Sequence, residues 1–518
     1  MKMEVKRGSV AILMMIGLAV PAAGARTPER TGRPQDPQVS AGNPPPREES
    51  SVTDHSIRIG GQTIPYKATA STTLLKNDKG EPTGLIYSAA YTRADVKDPS
   101  TRPVSFLYNG GPGSATMWLH MGAFGPRRVS TVNGEFTGPP PYKLVDNAES
   151  LLDKTDLVFI DAMGTGYSRA AGKAQEKDFY GIDEDAQAFA QFIVTYLSRN
   201  DRWNSPKFLI GESYGTFRSA ALGNLLQSRY TVHLNGICLI SSVLDLSTIT
   251  FAPGNDRPYI YYLPSYAAVA WYHKVLKNRP GDVAAFIEEA RQYAQGDYAS
   301  ALFKGAKLSP TDKAAVAKKL AYFTGLGEDY LIRANLRVTL GQFNVELMRN
   351  RGLTAGRIDA RFSGYTFDLL AENAQGDPEG PAVGGAYTAL VNMYNHDELK
   401  FGQDKPYRNT SEGGVWNWTR QSGGRGGFPS APNTQADLAQ AMITNPKLLV
   451  QVENGYYDMA TPFFESEFTM AHLGLPADLQ KNIKFNYYNA GHMMYLQDED
   501  RVTLHANVAA FIDRAAKQ

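Results

Sequence analysis

The sequence predicts an α/β fold with a mostly parallel central sheet, helices on both faces and a large, mainly helical cap insertion. Three observations predict it. Short apolar runs recur at Val104–Tyr108, Leu157–Ile160, Phe208–Ile210, Ile237–Ile240, Leu448–Val452 and Phe485–Tyr488. Helical segments such as Glu184–Leu197 and Thr216–Arg229 lie between them. Strands that are apolar on both faces, alternating with helices, require a sheet covered on both sides. Third, the rhythm changes between residues 251 and 433, where helical segments (Val283–Gln295, Pro310–Leu320, Glu328–Arg349) give way to a long Gly- and Asn-rich stretch.

Taken in order, the chain begins with Lys2, Lys6 and Arg7, then the apolar run Val10–Val20 and the small residues Ala23-Gly24-Ala25. This pattern predicts a signal peptide over residues 1–25, with cleavage after Ala25 and no stable membrane association afterwards. The protein is therefore expected to be exported, to a periplasmic or extracellular site. Residues 26–55 are rich in Pro, Gly, Arg, Glu and Ser, a composition that cannot offset its ordering entropy, and are expected to be a disordered tether. Order is expected to begin near Ile57, with Gly60-Gly61 and Asn77-Asp78-Lys79-Gly80 as hairpin turns. The sheet-bearing core then divides into residues 56–250 and 434–518 around the cap at 251–433, with a helix at Gln435–Ile443 leading back into the sheet. With 42% hydrophobic residues over 518 positions the chain can bury a large core. A net charge of +1 with scattered Lys and Arg argues against nucleic-acid partners. The single cysteine, Cys238, lies in an apolar strand and reads as a core residue. No zinc, Walker A or paired-cysteine signature is present, so no metal or cofactor is expected.

The chemistry is concentrated at the C-terminal ends of the strands. Lys207-Phe208-Leu209-Ile210-Gly211-Glu212-Ser213-Tyr214-Gly215 reads as strand, tight turn and helix start, the G-x-S-x-G nucleophile elbow of the α/β-hydrolase fold. That arrangement requires an acid and then a histidine, each on a loop after a later strand. Asp458 follows the strand at Leu448 and His492 follows the strand at Phe485, so the expected triad is Ser213, Asp458 and His492. Glu453 is the rival acid and His120 a distant rival histidine. The run Asn109-Gly110-Gly111-Pro112-Gly113 ends the first apolar strand, and its glycines allow backbone N–H groups to face the site. The expected oxyanion donors are the N–H groups of Gly111 and Tyr214, and Trp118, Tyr214 and Met493 are further wall candidates.

Together these motifs resemble the serine carboxypeptidase family (carboxypeptidase C/Y-like), of which this chain would be a disulfide-free, divergent member. The resemblance rests on Asn109–Gly113, on Asp161-Ala162-Met163-Gly164-Thr165-Gly166-Tyr167-Ser168, on Gly211–Tyr214 and on Asn489–Met493. It implies a serine-type carboxypeptidase acting on peptide substrates, with Asn109, Gly110 and Glu212 binding the substrate's terminal carboxylate. The chain departs from the family pattern at Ala123, where a second Glu is usual, at Leu107 for Trp and at Ser114 for Cys. Arg127, Arg128 and Arg218 lie near these motifs and offer an alternative way to hold a carboxylate, with a pH optimum nearer neutrality. Their plainer reading is as surface or paired ions. The alternative functions are an esterase or acyltransferase on the same fold, or a non-catalytic binding protein.

Overall fold

The computed structural model describes residues 46–420 and 432–517, so the expected signal peptide and the tether as far as residue 45 lie outside the described residues. The apolar runs form one ten-stranded sheet. Its strands are β1 (Ser50–Ile59), β2 (Gln62–Lys76), β3 (Pro82–Arg93), β4 (Val104–Tyr108), β5 (Asp156–Ile160), β6 (Arg169–Ala170), β7 (Lys207–Glu212), β8 (Gly236–Ile240), β9 (Leu449–Gly455) and β10 (Ile483–Tyr488). The spatial order is β1-β2-β3-β5-β4-β7-β8-β9-β10, with β6 paired to β3. From β5 to β10 all neighbours are parallel. The N-terminal strands add an antiparallel margin. Every residue of β4, β5, β7 and β8 is buried, as expected of strands covered on both faces.

One face is covered by α1 (Ile182–Arg199), α2 (Tyr214–Tyr230) and α9 (Gln435–Thr444), which contribute Phe189, Phe192, Leu222, Leu226, Leu438 and Met442 to its core. The other face is packed by α8 (Glu379–Met393) and α10 (Asp498–Ala515) through Tyr387, Leu390, Val508 and Phe511. The insertion also contains α3 (Arg257–Tyr272), α4 (Val283–Tyr293), α5 (Pro310–Thr324), α6 (Glu328–Arg333) and α7 (Leu340–Glu346). These share a further core with Tyr457, Met459 and Phe463 from beyond β9.

Three expectations are corrected. Order begins earlier than Ile57: β1 starts at Ser50 and pairs with β2 from Ser50↔Ser71 onward. Backbone pairing to a long neighbour holds this polar segment where side-chain burial does not. The helix expected over Glu328–Arg349 is two helices. Asn335 and Leu336 adopt positive φ (53° and 64°), Leu336 is buried, and Thr339 opens α7 with a capping box to Gln342. Arg337 stabilises the break by a two-pronged pair with Asp256 at 2.7 and 2.8 Å. The Gly-rich stretch contains α8, which holds Gly380, Gly384 and Gly385 yet buries Val383, Tyr387, Leu390 and Val391 against the sheet. Packing overrides the poor helix propensity there.

Candidate active site

β7 ends at Glu212, and the next residue, Ser213, has φ 61° and ψ −130°, outside the regions an L-residue ordinarily occupies. Such a conformation costs about 1–3 kcal/mol and is retained only where its surroundings enforce it. Here the Ser213 N–H donates to the Ile240 carbonyl at 3.0 Å, while its carbonyl accepts from the Thr216 N–H at 2.8 Å and hydroxyl at 2.7 Å. The chain then enters α2, whose first N–H groups have no partner within the helix. A Cβ at Gly211 would lie 2.2 Å from the Gly215 carbonyl oxygen, so the elbow closes only around glycine.

β9 and β10 deliver the other two expected residues. The His492 Nδ1 pairs with Asp458 Oδ2 at 2.8 Å, and both side chains are buried. Asp458 also accepts from the Ala460 and Thr461 N–H groups at 2.8 and 2.9 Å and from the Thr461 hydroxyl at 2.7 Å. The carboxylate is thus held in one orientation before any substrate arrives. Burial pulls the imidazole of His492 down, but the charge and hydrogen bond of Asp458, with Glu212 beyond, hold it above its ordinary value. With Nδ1 committed to Asp458, Nε2 is the nitrogen left for proton transfer.

The glycine loop after β4 lies directly against the elbow. A Cβ at Gly110 would come within 2.4 Å of the Tyr214 nitrogen, 2.7 Å of the Gly215 nitrogen and 2.8 Å of the Glu212 oxygen. Asn109 locks the loop in register. Its Nδ2 donates to Glu212 Oε1 at 2.7 Å, and its Oδ1 accepts from the Leu119 N–H at 3.0 Å. Glu212 is buried, and burial pushes its carboxyl up to about 7 against the opposing influence of His492, Tyr495 and Asn109. Asp161, from the third motif, accepts from the Thr116 N–H at 2.7 Å and so braces the far end of the same loop.

The rivals are accounted for. His120 is buried against Tyr91 (2.6 Å to its hydroxyl) and stacks on Phe159, where burial pulls it down to about 3. Glu453 bonds Gln451, Asn486 and Tyr488 beneath the sheet end. Arg218, offered as a carboxylate anchor, is instead buried in a pair with Asp185 (2.6 Å) and donates to the Asn109 carbonyl at 2.8 Å. It holds the glycine loop from behind. Arg127 is paired with Asp146 and Glu398, and Arg128 is half-buried beside Arg501. Of the wall candidates, Trp118 packs on Tyr387 (4.7 Å), Tyr214 on Trp416 (5.3 Å), and Met493 lies in the core.

Sequence reading misses the segment 357–361, which the insertion threads between the acid and histidine loops. The Met459 N–H donates to the Arg357 carbonyl at 3.1 Å, the Ala360 N–H to Tyr457 at 3.1 Å, and the His492 N–H to Ile358 at 2.8 Å. Asp359 accepts from the Gly491 N–H at 3.2 Å and pairs with Arg361, which reaches the Asn489 carbonyl at 3.1 Å. No periodicity marks these residues, so no sequence signal finds them. Among the described residues no group of His, Cys, Asp and Glu is placed to hold a metal ion, and no helix is long and apolar enough to cross a membrane.

The family model described as serine carboxypeptidase matches residues 77–278. The chain is 24% identical over 211 residues to serine carboxypeptidase-like 45 of Arabidopsis thaliana, covering 38% of this chain and 42% of that one. It is 29% identical over 138 residues to serine carboxypeptidase-like 33 of the same plant, covering 26% and 27%. The match therefore spans less than half the length of either relative. The structure of Kex1(delta)p, a prohormone-processing carboxypeptidase from Saccharomyces cerevisiae, superposes with a TM-score of 0.52 at 15% identity, over 86% of this chain and 92% of that one. With its four motifs in order at the rim of an α/β-hydrolase sheet, the chain is similar to the serine carboxypeptidase family over residues 77–278 and shares the fold of its solved relative.

Proposed function

We propose that the protein is a serine-type carboxypeptidase that releases residues from the free C-termini of peptides through an acyl-enzyme. Ser213 Oγ attacks the carbonyl carbon of the last peptide bond while His492 Nε2 takes its proton. Asp458 holds the imidazole in the tautomer that leaves Nε2 free and stabilises the imidazolium that forms. The N–H groups of Gly111 and Tyr214 receive the oxyanion, helped by the positive end of α2. The imidazolium then protonates the leaving amine, and water repeats the sequence to free the shortened peptide.

The observation that carries the carboxypeptidase reading is Glu212, a buried carboxyl beside the nucleophile, bonded to Asn109 Nδ2 at 2.7 Å and pushed up to about 7. A carboxyl kept neutral can donate to a substrate carboxylate, which a general esterase does not require. Asn109 and the Gly110 backbone complete that contact. Residues 1–25 act as the export signal, giving a periplasmic or extracellular enzyme. The test is to offer a blocked dipeptide with a free C-terminus, its C-terminal amide and a simple ester. Turnover of the free acid well above the amide supports the reading. Ester cleavage alone assigns the site to an esterase or acyltransferase. Failure of a fluorophosphonate to label Ser213 points to a binding protein.

A further inference from the structure

Near the nucleophile the buried Glu379 Oε1 has no hydrogen-bond partner, and Glu212 Oε2 and the Tyr495 hydroxyl have none but each other. Their residues are only 4%, 3% and 2% exposed. A buried polar atom left without a partner is rare in a native structure and calls for an explanation, of which a bound ligand is one. Glu379 opens α8, and Tyr387 stands two turns further along the same face. At Gly122, next to Ala123, a Cβ would lie 2.3 Å from the Tyr387 hydroxyl and 2.6 Å from the Tyr495 ring. The charge of Glu212 reaches Glu379, and both reach Tyr387 and Tyr495, so the four buried groups are electrostatic neighbours. The start of α8 is also tied to the histidine loop. The Glu379 N–H donates to Asp377 Oδ1 at 3.3 Å, and Asp377 Oδ2 accepts from the Ile358 N–H at 2.9 Å. The carbonyl of Ile358 in turn accepts the His492 N–H.

We propose that Glu379, brought in by the insertion, is a specificity-determining residue that joins Glu212 in holding the free carboxylate of the peptide's last residue, where Ala123 offers no carboxyl. The assignment rests on the carboxypeptidase reading above. The groups facing Glu379 are Asp377, Asp359, Glu212, Tyr387, Tyr495 and Arg357. Burial raises its carboxyl well above the ordinary range, the acidic neighbours add to this, and Arg357 opposes it. Two neutral acids donate to a carboxylate; once either ionises, it repels the same ligand. Free-acid peptides are therefore bound at acid and neutral pH and rejected as the pair loses its proton.

The test compares the blocked dipeptide acid and its amide with wild type, Glu379→Ala and the nearly isosteric Glu379→Gln, each scored for fluorophosphonate labelling as a measure of an intact nucleophile. Glu379→Ala raises KM for the acid by about 10- to 100-fold, the loss of one charge-assisted hydrogen bond, and so erodes the preference for acid over amide. Glu379→Gln keeps a donor at every pH, so its KM rises less steeply with pH than that of wild type, with only Glu212 left to ionise. A labelled Glu379→Ala with the wild-type acid-to-amide ratio, or a KM rise shared equally by the amide, overturns the assignment alone. If the alanine variant is not labelled, Glu379→Gln decides: a pH dependence of KM like that of wild type overturns it. A wild type indifferent to acid or amide overturns the carboxypeptidase reading and the assignment with it.

Discussion

Alanine at Gly110 is the most discriminating perturbation of the oxyanion arrangement. The added Cβ meets backbone atoms only, at 2.4 Å from the Tyr214 nitrogen, 2.7 Å from the Gly215 nitrogen and 2.8 Å from the Glu212 oxygen. Backbone cannot swing aside as a side chain can, and ordinary contact begins near 3.4 Å. The loop after β4 must therefore retreat from the elbow by about 1 Å, and the Gly111 N–H retreats with it. Losing one oxyanion donor lowers kcat by about 10²–10³-fold, and a misplacement of about 1 Å costs a similar factor. The assay is steady-state kcat on an ester and on a free-acid peptide, with the rate of fluorophosphonate labelling and a thermal melt on the same sample. Gly281→Ala, where a Cβ meets nothing within 4 Å, is the control. A folded Gly110→Ala protein with kcat within about threefold of wild type would refute the placement of this loop as the oxyanion wall.

Asp458→Asn removes the acceptor that sets the His492 tautomer and lowers kcat by about 10⁴-fold while the protein still folds, as read by steady-state kinetics and circular dichroism. Asp359→Ala leaves Arg361 buried without its carboxylate and costs about 3–5 kcal/mol in a urea melt, with kcat falling for ester and peptide alike because the Gly491–His492 turn loses its anchor. Because His492 is held above its ordinary value, ester turnover rises with pH through that range as the imidazole becomes neutral, and an ester profile falling there would contradict the assigned base. Glu465 is buried and pushed by burial up to about 7, so it is protonated in the native state where the unfolded chain has released its proton. Its contribution is complete below about 4.5 and lost as pH rises through about 7, so Glu465→Gln, which can keep the acceptor bonded by Thr248, gains up to about 3 kcal/mol over wild type at pH 9 and nothing at pH 4, measured by denaturant melts at both.

The strands β4, β5, β7 and β8 were legible in the sequence because each is an apolar run whose neighbours in the chain announce it. The elbow at Ser213 and the loops bearing Asp458 and His492 were legible for the same reason, since each lies within a few residues of such a strand. Local chemistry determined these elements, and with them the chain order of Ser213, Asp458 and His492. What no local pattern contains is which distant polar group meets which. Arg218 looked available to a substrate until Asp185 and the Asn109 carbonyl were brought to it. The glycines of α8 concealed a helix that only its packing against the sheet stabilises. Asp359, Glu379 and the bridging strand of backbone at residues 357–361 reach the site from a long insertion, and a single polar residue has no periodicity to betray its destination. Burial acts through the finished fold, so the raised proton affinities of Glu212 and His492 were decided by tertiary structure, where desolvation and neighbouring charge are first set against each other.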